Sequence, residues 1–266
     1  MERLTVLAED DDLPRWELPA ELVRLYGGGL GFDEPCVVAN FVESLDGVVA
    51  VPGLPRSHAV LGDESVADRV VVALLRACAD AILVGSGTLL ASPEGTWRAE
   101  RVYPPAADAL AELRASRRRS ERPLLAILTR GGSFDPGHPV LESGALVLTT
   151  ERAARALRAS VPAASEVVAV SGGDSVDLAA AIAELRRRDC SVIVSESGPN
   201  VFGALLASQL VDELFVTVSP VLAGRAQTPR LGLVEGVELL PRTRIAGRLR
   251  SVRARGSHLF LRYSLR

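Results

Sequence analysis

The chain has 266 residues, of which 48% are hydrophobic, and its formal net charge is −3. This apolar share suffices for a large core and excludes general disorder, while the slightly acidic balance argues against a general nucleic-acid-binding protein. All 30 basic residues are arginine, which excludes a lysine Schiff base, a P-loop lysine and a lysine general base.

The first 31 residues differ in character from the rest of the chain. They are acidic near the start and end in the glycine-rich stretch YGGGLG. We interpret residues 1–31 as an N-terminal extension and residues 32–266 as a single domain, a length that α/β folds often reach. The start lacks the basic residues and apolar stretch of a signal peptide, and no apolar run approaches membrane-spanning length. We therefore expect a cytoplasmic protein without a membrane partner.

Short apolar runs then alternate with helical patterns. The apolar runs are residues 35–42, 80–85, 122–129, 144–150, 165–170, 190–196 and 212–220. Continuous runs of this length are typical of strands that are covered on both faces. Residues 65–79 and 175–188 place apolar side chains at helical spacing. The alternation predicts an α/β fold with a mostly parallel sheet flanked by helices, closed by an antiparallel C-terminal strand at 258–265.

The first predicted strand ends in the turn Ser44-Leu45-Asp46-Gly47. Asp46 can accept hydrogen bonds from a polar substrate or cofactor, and Gly47 permits a turn. By itself such a motif is a plain turn more often than a site.

On the helix that follows, Arg76 lies beside the apolar row and could be drawn inward to an anion, whereas Arg69 is better explained as a solvated side chain.

The second predicted strand leads into a glycine loop, DAILVGSGTLL. Gly85 and Gly87 follow the strand directly, and the hydroxyl of Thr88 can hydrogen-bond to a phosphate. The loop is not the dinucleotide fingerprint GxGxxG, because Leu90 takes the place of the third glycine. The sequence therefore disfavours a Rossmann domain but retains a loop suited to a phosphate.

A second loop of this kind is SESGPNVFGALL, at residues 195–206. Pro199 suits the first turn of a helix, and Gly198 before it lets a ligand approach the N–H groups at the positive end of that helix. Gly203 has no Cβ atom, so another group can approach the surface of the helix closely at this position. Glu196 lies where open α/β sheets place their ligands. An ordinary strand-to-helix turn is an equal alternative for one such loop, but two of them together suggest one extended ligand with several phosphates, such as a dinucleotide.

Three segments in this order, ESLDG, LLRACADAILVGSGTLL and SESGPNVFGALLASQLVDELFVTVSPVLAG, resemble the reductase domain of the bacterial riboflavin-pathway deaminase/reductases. This pyrimidine reductase family has a dihydrofolate-reductase-like fold, and the resemblance covers roughly residues 35 to 264.

The zinc signature of the partner deaminase domain, HxE…PCxxC, is absent. Cys36, Cys78 and Cys190 lie far apart without metal-ligand spacing, so we expect neither a metal site nor a disulfide framework, and we interpret Cys78 and Cys190 as small core residues.

The resemblance implies that the chain binds NADPH. In the family, the turn corresponding to Val84–Thr88 and the loop from Gly198 through Gly203 cradle this cofactor. The positions implied on the cofactor side are therefore Val84, Gly85, Gly87, Thr88, Gly198, Pro199, Asn200, Val201 and Gly203. Arg130, at the end of the strand at 122–129, is our candidate for the 2′-phosphate, because a guanidinium pairs bidentately with such a group.

On the substrate side, the resemblance implies that Arg76 and Arg98 bind the ribose phosphate and that Ser57 and Glu196 bind polar groups. Asp46 would shape the nicotinamide–ribose pocket. The implied reaction reduces C1′ of a phosphoribosylaminopyrimidine, and Glu196 or Asp46, or solvent, would supply the proton.

The chain departs from the family at two points beside this pocket. It reads LLASPEGTWRAER where the family has an acidic turn, which makes the alignment of Arg98 uncertain, and Ser197 stands where the family has glycine.

Two alternatives stay open: another NADPH reductase of this fold acting on dihydrofolate or a pterin, and a non-catalytic nucleotide-binding module. We also expect a homodimer, although the apolar segment LVDELFVTVSPVLAG that could form its surface is explained equally well as a buried central strand.

Overall fold

The structure is a computed structural model that describes residues 3–265, and its centre is one ten-stranded sheet. The strands are β1 (Thr5–Glu9), β2 (Cys36–Glu43), β3 (Ala81–Gly85), β4 (Leu124–Thr129), β5 (Leu146–Thr150), β6 (Glu166–Ser171), β7 (Val192–Ser195), β8 (Glu213–Val218), β9 (Arg248–Arg255) and β10 (His258–Ser264). Their order in the sheet is β1-β9-β10-β8-β2-β7-β3-β4-β5-β6. The seven predicted parallel strands are all present as β2 to β8, and they pair in parallel.

The antiparallel part of the sheet lies at one side. β10 pairs antiparallel with β8, β9 with β10, and β1 with β9. The predicted antiparallel strand at the C-terminus is therefore confirmed as β10, and the fold class is the expected mixed α/β one. β9 and β1 were not among the predicted strands.

Helices cover both faces of the sheet. They are α1 (Ala20–Tyr26), α2 (Ser57–Leu61), α3 (Val66–Cys78), α4 (Ser86–Leu90), α5 (Ala99–Val102), α6 (Ala107–Ser116), α7 (Pro139–Glu142), α8 (Glu151–Leu157), α9 (Leu178–Arg187) and α10 (Pro199–Ala207), with a short 3-10 turn at Pro104–Ala106. Within the described residues, none of these helices has the length and apolar character needed to cross a bilayer.

Helix α3 shows how the sequence sets the packing. The side chain of Ser65 accepts a hydrogen bond from the backbone N–H of Asp68, which caps the first turn. The predicted apolar row is buried against the sheet: Ala67, Val70, Val71, Leu74, Leu75 and Cys78. Cys78 and Cys190 are buried, as predicted, and Cys36 is buried as well.

Two hydrophobic clusters lie on the two faces of the sheet. Successive side chains of β2 point to opposite faces and belong alternately to one cluster and the other. Val38 belongs to the cluster that includes α1, α3 and α6, while Val37 and Ala39 belong to the cluster that includes α9 and α10. The predicted N-terminal extension contributes to the first cluster through Leu4 and Leu22. Residues 3–31 therefore pack on the same sheet and the same core as the rest of the chain.

Candidate active site

The two glycine loops lie next to each other because β3 and β7 are neighbours in the sheet. Leu83 of β3 is paired with Ser195 of β7, and both strands run in the same direction. The carboxyl ends of parallel strands meet at one edge, which is where open α/β sheets bind ligands. The turn after β3 and the turn after β7 therefore face the same crevice.

The two turns are in contact, and the approach is close only at Gly85. A Cβ atom at Gly85 would lie 3.2 Å from Cγ2 of Val201, and one at Gly198 would lie 3.8 Å from Oγ1 of Thr88. Gly87 is different, since a Cβ atom there would meet nothing within 4 Å. Gly87 therefore borders open space, which is the condition for a ligand to approach the backbone closely.

Helix α10 begins as predicted. Gly198 is its N-cap and has no side chain to cap the helix, and Pro199 occupies the first turn. A first turn leaves backbone N–H groups without partners inside the helix. Asn200 is exposed and Val201 half-buried in the same turn. This end of α10 can accept an anion.

Two of the expected cofactor positions have contacts inside the protein. A Cβ atom at Gly203 would lie 2.4 Å from the carbonyl oxygen of Glu235, so this glycine is required by the packing of the chain itself. The side chain of Val84 is fully buried in the core, so only its backbone could contact a ligand. Arg130 is exposed directly after β4, the neighbour of β3.

The serine that replaces a glycine of the family pattern joins the two strands. Ser197 is buried, and its hydroxyl donates a hydrogen bond of 3.0 Å to the carbonyl oxygen of Leu83. The N–H of Glu196 donates to the same oxygen at 3.0 Å. Both bonds fix the β7–α10 turn on the end of β3, so this departure from the family pattern is accommodated without opening the crevice.

Glu196 and Arg76 form a bidentate ion pair at this edge. Nε of Arg76 donates to Oε1 of Glu196 at 2.7 Å, and Nη2 donates to Oε2 at 2.6 Å. Their side chains are only 12% and 11% exposed. Such fork-to-fork pairs are strong and geometrically specific. The pair fixes the orientation of both side chains and leaves Nη1 of Arg76 outside the pair.

Two other expected substrate positions lie at the starts of the helices α2 and α5. Ser57 is the first residue of α2, and its hydroxyl accepts a hydrogen bond of 3.4 Å from the N–H of Val51. Burial lowers the pKa of the next residue, His58, and the charges of Glu196 and Arg76 also act on it, so α2 lies near the ion pair. Arg98 is half-buried at the start of α5, a helix that packs on α3.

The carboxylate of Asp46 holds the segment at residues 221–224 in place. Its carboxylate accepts hydrogen bonds from the hydroxyl of Ser44 at 2.6 Å and from the N–H groups of Ala223 and Gly224, both at 2.9 Å. The bond from Ser44 and then those from the backbone lower the pKa of Asp46 to about 2. Asp46 is thus ionised at neutral pH and holds the 221–224 segment, so it is unsuited to the donation of a proton.

The structure adds one acid that the sequence analysis did not single out. Asp68 lies half-buried in the first turn of α3. Burial raises its pKa to about 6, a hydrogen bond from Thr217 of β8 lowers it, and the charge of Glu196 raises it. The motif Ser-x-x-Asp before an apolar run was the available signal, but it also predicts a plain helix cap.

The fold is that of an α/β protein with a ligand crevice, and the comparisons with known proteins make it an oxidoreductase, a reductase of riboflavin biosynthesis. The chain belongs to the RibD C-terminal domain family, whose model matches residues 35–260. It is 28% identical over 226 residues to the 2,5-diamino-6-ribosylamino-4(3H)-pyrimidinone 5′-phosphate reductase of Archaeoglobus fulgidus, a match that covers 79% of this chain and 91% of the relative.

Solved structures share the fold. A pyrimidine reductase-like protein from Corynebacterium diphtheriae superimposes with a TM-score of 0.67 at 22% identity, covering 87% of this chain and 92% of the other. The riboflavin biosynthesis reductase Rib7 of Saccharomyces cerevisiae gives a TM-score of 0.56 at 19% identity, covering 90% and 94%. At these identities the likeness establishes the architecture alone.

Proposed function

We propose that this chain uses NADPH to reduce the ribose C1′ of 5-amino-6-(5-phosphoribosylamino)uracil or of its 2-amino pyrimidinone counterpart, giving the ribityl product. The observation that carries the proposal is the convergence of two glycine turns beside the pair of Arg76 and Glu196. Family membership supports the same reaction class.

The residues at the crevice fit a pyrophosphate-bearing nicotinamide cofactor. Gly87 leaves open space next to its backbone, and Gly198 gives α10 an N-terminus without a side-chain cap. The hydroxyl of Thr88 lies where the two turns are in contact, and it can donate a hydrogen bond to a phosphate. Arg130, exposed after β4, is our candidate for the 2′-phosphate that distinguishes NADPH from NADH. When bound, this cofactor supplies the hydride.

The substrate would occupy the side of the crevice that carries the ion pair. Nη1 of Arg76 keeps its donors available for the ribose phosphate, while Glu196 holds the guanidinium in a fixed plane. Arg98, at the start of α5, is the second candidate for this phosphate. Ser57 and the carboxylate of Glu196 would contact polar groups of the substrate.

The chemistry needs a proton as well as a hydride. The C1′–O4′ bond of the cyclic ribosylamine breaks, O4′ takes a proton, and a C1′–N iminium remains. C1′ then accepts the hydride and becomes the methylene carbon of a ribitylamine. The overall reaction consumes one hydride and one proton, and the protein contributes placement and electrostatic stabilisation.

We also propose a cytoplasmic homodimer. The three thiols are free and buried, as in proteins of reducing compartments. Leu249 of β9 and Leu259 of β10 remain 42% and 38% exposed on the antiparallel part of the sheet, which suits a contact with a second copy.

The relative from Archaeoglobus fulgidus is named for a substrate that still carries the 2-amino group. The two pyrimidine phosphates differ only at this ring position, and the one that this chain prefers decides whether it acts before or after deamination. We therefore treat them as two substrates of one activity and test both.

A steady-state assay tests the proposal. The purified chain is given NADPH and, in separate reactions, each pyrimidine phosphate or dihydrofolate, and NADPH oxidation is followed by absorbance. We expect turnover with a pyrimidine phosphate and none with dihydrofolate. The reverse pattern would identify a different reductase, and NADPH binding by calorimetry without turnover of any substrate would identify a non-catalytic module.

A further inference from the structure

A second cleft, with a volume of about 890 Å³, lies beside the start of α3. Three walls form it: the first turn of α3 up to Arg69, residues 101–105 in and after α5, and the turn between β9 and β10. Of the described residues that line it, none is one that we assign to the cofactor or to the substrate. Its volume falls within the range of about 300–1,000 Å³ that is typical of small-molecule sites. The cleft can therefore hold a small molecule in addition to the two ligands of the proposed reaction.

The cleft is basic. Arg69, Arg101 and Arg255 line it, one from each wall, and His258 is the partner of Arg255 across the β9–β10 turn. Among the lining residues that the structure describes, none is acidic. The charge of Asp68 acts on Arg69 and His258, but Asp68 is not one of those lining residues. Three guanidinium groups on one cleft favour an anionic ligand.

Two of these arginines have no partner inside the protein. Arg69 and Arg101 are exposed, and neither side chain forms an ion pair or a hydrogen bond with any of residues 3–265. Most ion-paired arginines of the chain differ in this respect, as the pairs of Arg76 with Glu196 and of Arg253 with Glu9 illustrate. An anion in the cleft would therefore bind Arg69 and Arg101 without breaking an existing ion pair.

Hydrogen bonds connect two of the walls. Nε2 of His258 lies 3.1 Å from the carbonyl oxygen of Gly62, and the backbone N–H of Ser65 donates to the same oxygen at 3.1 Å. These contacts hold the β9–β10 turn against the start of α3. Gly256 in that turn has a φ of +56°, and a Cβ atom there would meet nothing within 4 Å. The turn is thus fixed while the space beside it stays open, so a ligand would bind without reordering the cleft.

The wall after α5 is aromatic and apolar. Tyr103 is 8% exposed, and Pro104 and Pro105, which follow it, are exposed. Val66, at the start of α3, adds an apolar side chain that is 41% exposed. A solvated group of arginines has no need of such a surface, whereas a flat ring can pack on it. The cleft therefore suits a ligand that joins a charged group to an uncharged ring.

We propose that this cleft binds a small phosphorylated molecule with a flat ring, at a site separate from the proposed active site. Arg69, Arg101 and Arg255 bind the phosphate, and the ring packs against Tyr103 and the prolines after it. A phosphate monoester carries a charge of about −1.5 to −2 at neutral pH, so it matches several guanidinium groups better than a singly charged carboxylate.

A divided probe tests the two parts of this site. 1-Naphthyl phosphate, 1-naphthol and inorganic phosphate are each titrated by calorimetry into the full chain, with saturating NADP⁺ to occupy the cofactor crevice. We expect 1-naphthyl phosphate to bind at least about tenfold more tightly than either half, because it uses both the arginines and the apolar wall. No binding of 1-naphthyl phosphate, or binding no tighter than that of one of its halves, overturns the proposal.

Variants show where the probe binds. Because Arg69 and Arg101 are exposed, we expect the double variant Arg69→Gln with Arg101→Gln to keep its melting temperature and NADP⁺ affinity and to bind 1-naphthyl phosphate at least about tenfold more weakly. Arg118→Gln is the matched control, since Arg118 is also exposed and outside the cleft, and it should bind like the unmodified chain. Unchanged binding in the double variant, or loss of binding in Arg76→Ala alone, would place the probe elsewhere and overturn the proposal.

Discussion

Arg76 on α3 and Glu196 at the end of β7, 120 positions apart in the chain, form a bidentate ion pair with both side chains nearly buried. The pair connects α3 to the turn between β7 and α10. The pair uses Nε and Nη2 of Arg76. Nη1 can therefore bind a phosphate while the pair with Glu196 stays intact.

Replacement of this arginine should separate substrate binding from cofactor binding. We expect Arg76→Ala to raise KM for the pyrimidine phosphate about 10- to 100-fold, because a charge-assisted hydrogen bond contributes about 1.5–3 kcal/mol. KM for NADPH should rise far less. Arg155→Ala is the control, since Arg155 also pairs with a carboxylate, Glu151, but with 76% of its side chain exposed. Equal effects of Arg76→Ala on both KM values would contradict a role in phosphate binding.

Gly87 offers a test of the cofactor loop that does not disturb folding. A Cβ atom at this position meets nothing within 4 Å in the protein, and alanine is favoured over glycine inside a helix by roughly 0.5–1 kcal/mol. We therefore expect Gly87→Ala to keep or slightly raise the melting temperature while it weakens NADPH binding at least about tenfold in calorimetry. Gly172→Ala is the matched control, because a Cβ atom there also meets nothing. Unchanged NADPH affinity in Gly87→Ala would remove this turn from the cofactor site.

Asp46 should affect stability with a pH dependence of known sign. Its hydrogen bonds lower its pKa from 3.8 to about 2, so the folded state gains stability from this carboxylate above pH 4 and loses it as the pH falls toward 2. Asp46→Asn should therefore lower the melting temperature at pH 7, and the difference from the unmodified chain should shrink below pH 4. Thermal denaturation at several pH values measures it. A difference that stays constant down to pH 3 would show that the charge of Asp46 is not what holds the 221–224 segment.

The parallel part of the sheet could be predicted from the sequence because its strands are buried on both faces. Such strands are continuous apolar runs, and each of the seven runs forms a strand. β9 was not predicted because its sequence, RLRSVRAR, has arginine where a core strand would have an apolar residue. Arg253 is nevertheless 1% exposed, since it pairs with Glu9, 244 positions away in β1. A pairing over that distance has no local signal.

The same reasoning applies to the site. Strand ends and glycines are local features, so both turns could be located from the sequence, and Arg76 and Glu196 could each be placed near them. Their pairing depends on where α3 lies across β7, which is a tertiary property. The acids show the limit most clearly: Asp46 and Asp68 are both short carboxylates near a turn, and only their surroundings give one a pKa of about 2 and the other a pKa of about 6.

The N-terminal residues should contribute to the stability of the whole domain. Arg253 is fully buried, donates to the carbonyl oxygen of Tyr26 at 3.0 Å, lies over the ring of Tyr26 and pairs with Glu9. Glu9→Gln leaves this guanidinium without a carboxylate, which we expect to cost about 2–4 kcal/mol of unfolding free energy in urea denaturation. Glu9 also pairs with the exposed Arg15, so Arg15→Ala is the control for that weaker contact. A loss below 0.5 kcal/mol would indicate that residues 1–31 are a separable extension.

Asp68 should reduce the stability of the folded chain at neutral pH. Its pKa is raised from 3.8 to about 6 in the folded state, so between these values the unfolded chain releases its proton first, and the folded state loses stability as the pH rises through this window. Above pH 6 the full cost applies, on the order of 1–3 kcal/mol at 1.36 kcal/mol for each unit. Asp68→Asn should therefore raise the melting temperature in thermal denaturation at pH 8 and leave it nearly unchanged at pH 4. An acid that served only to cap α3 would give the opposite result, because its replacement would destabilise the protein at pH 8.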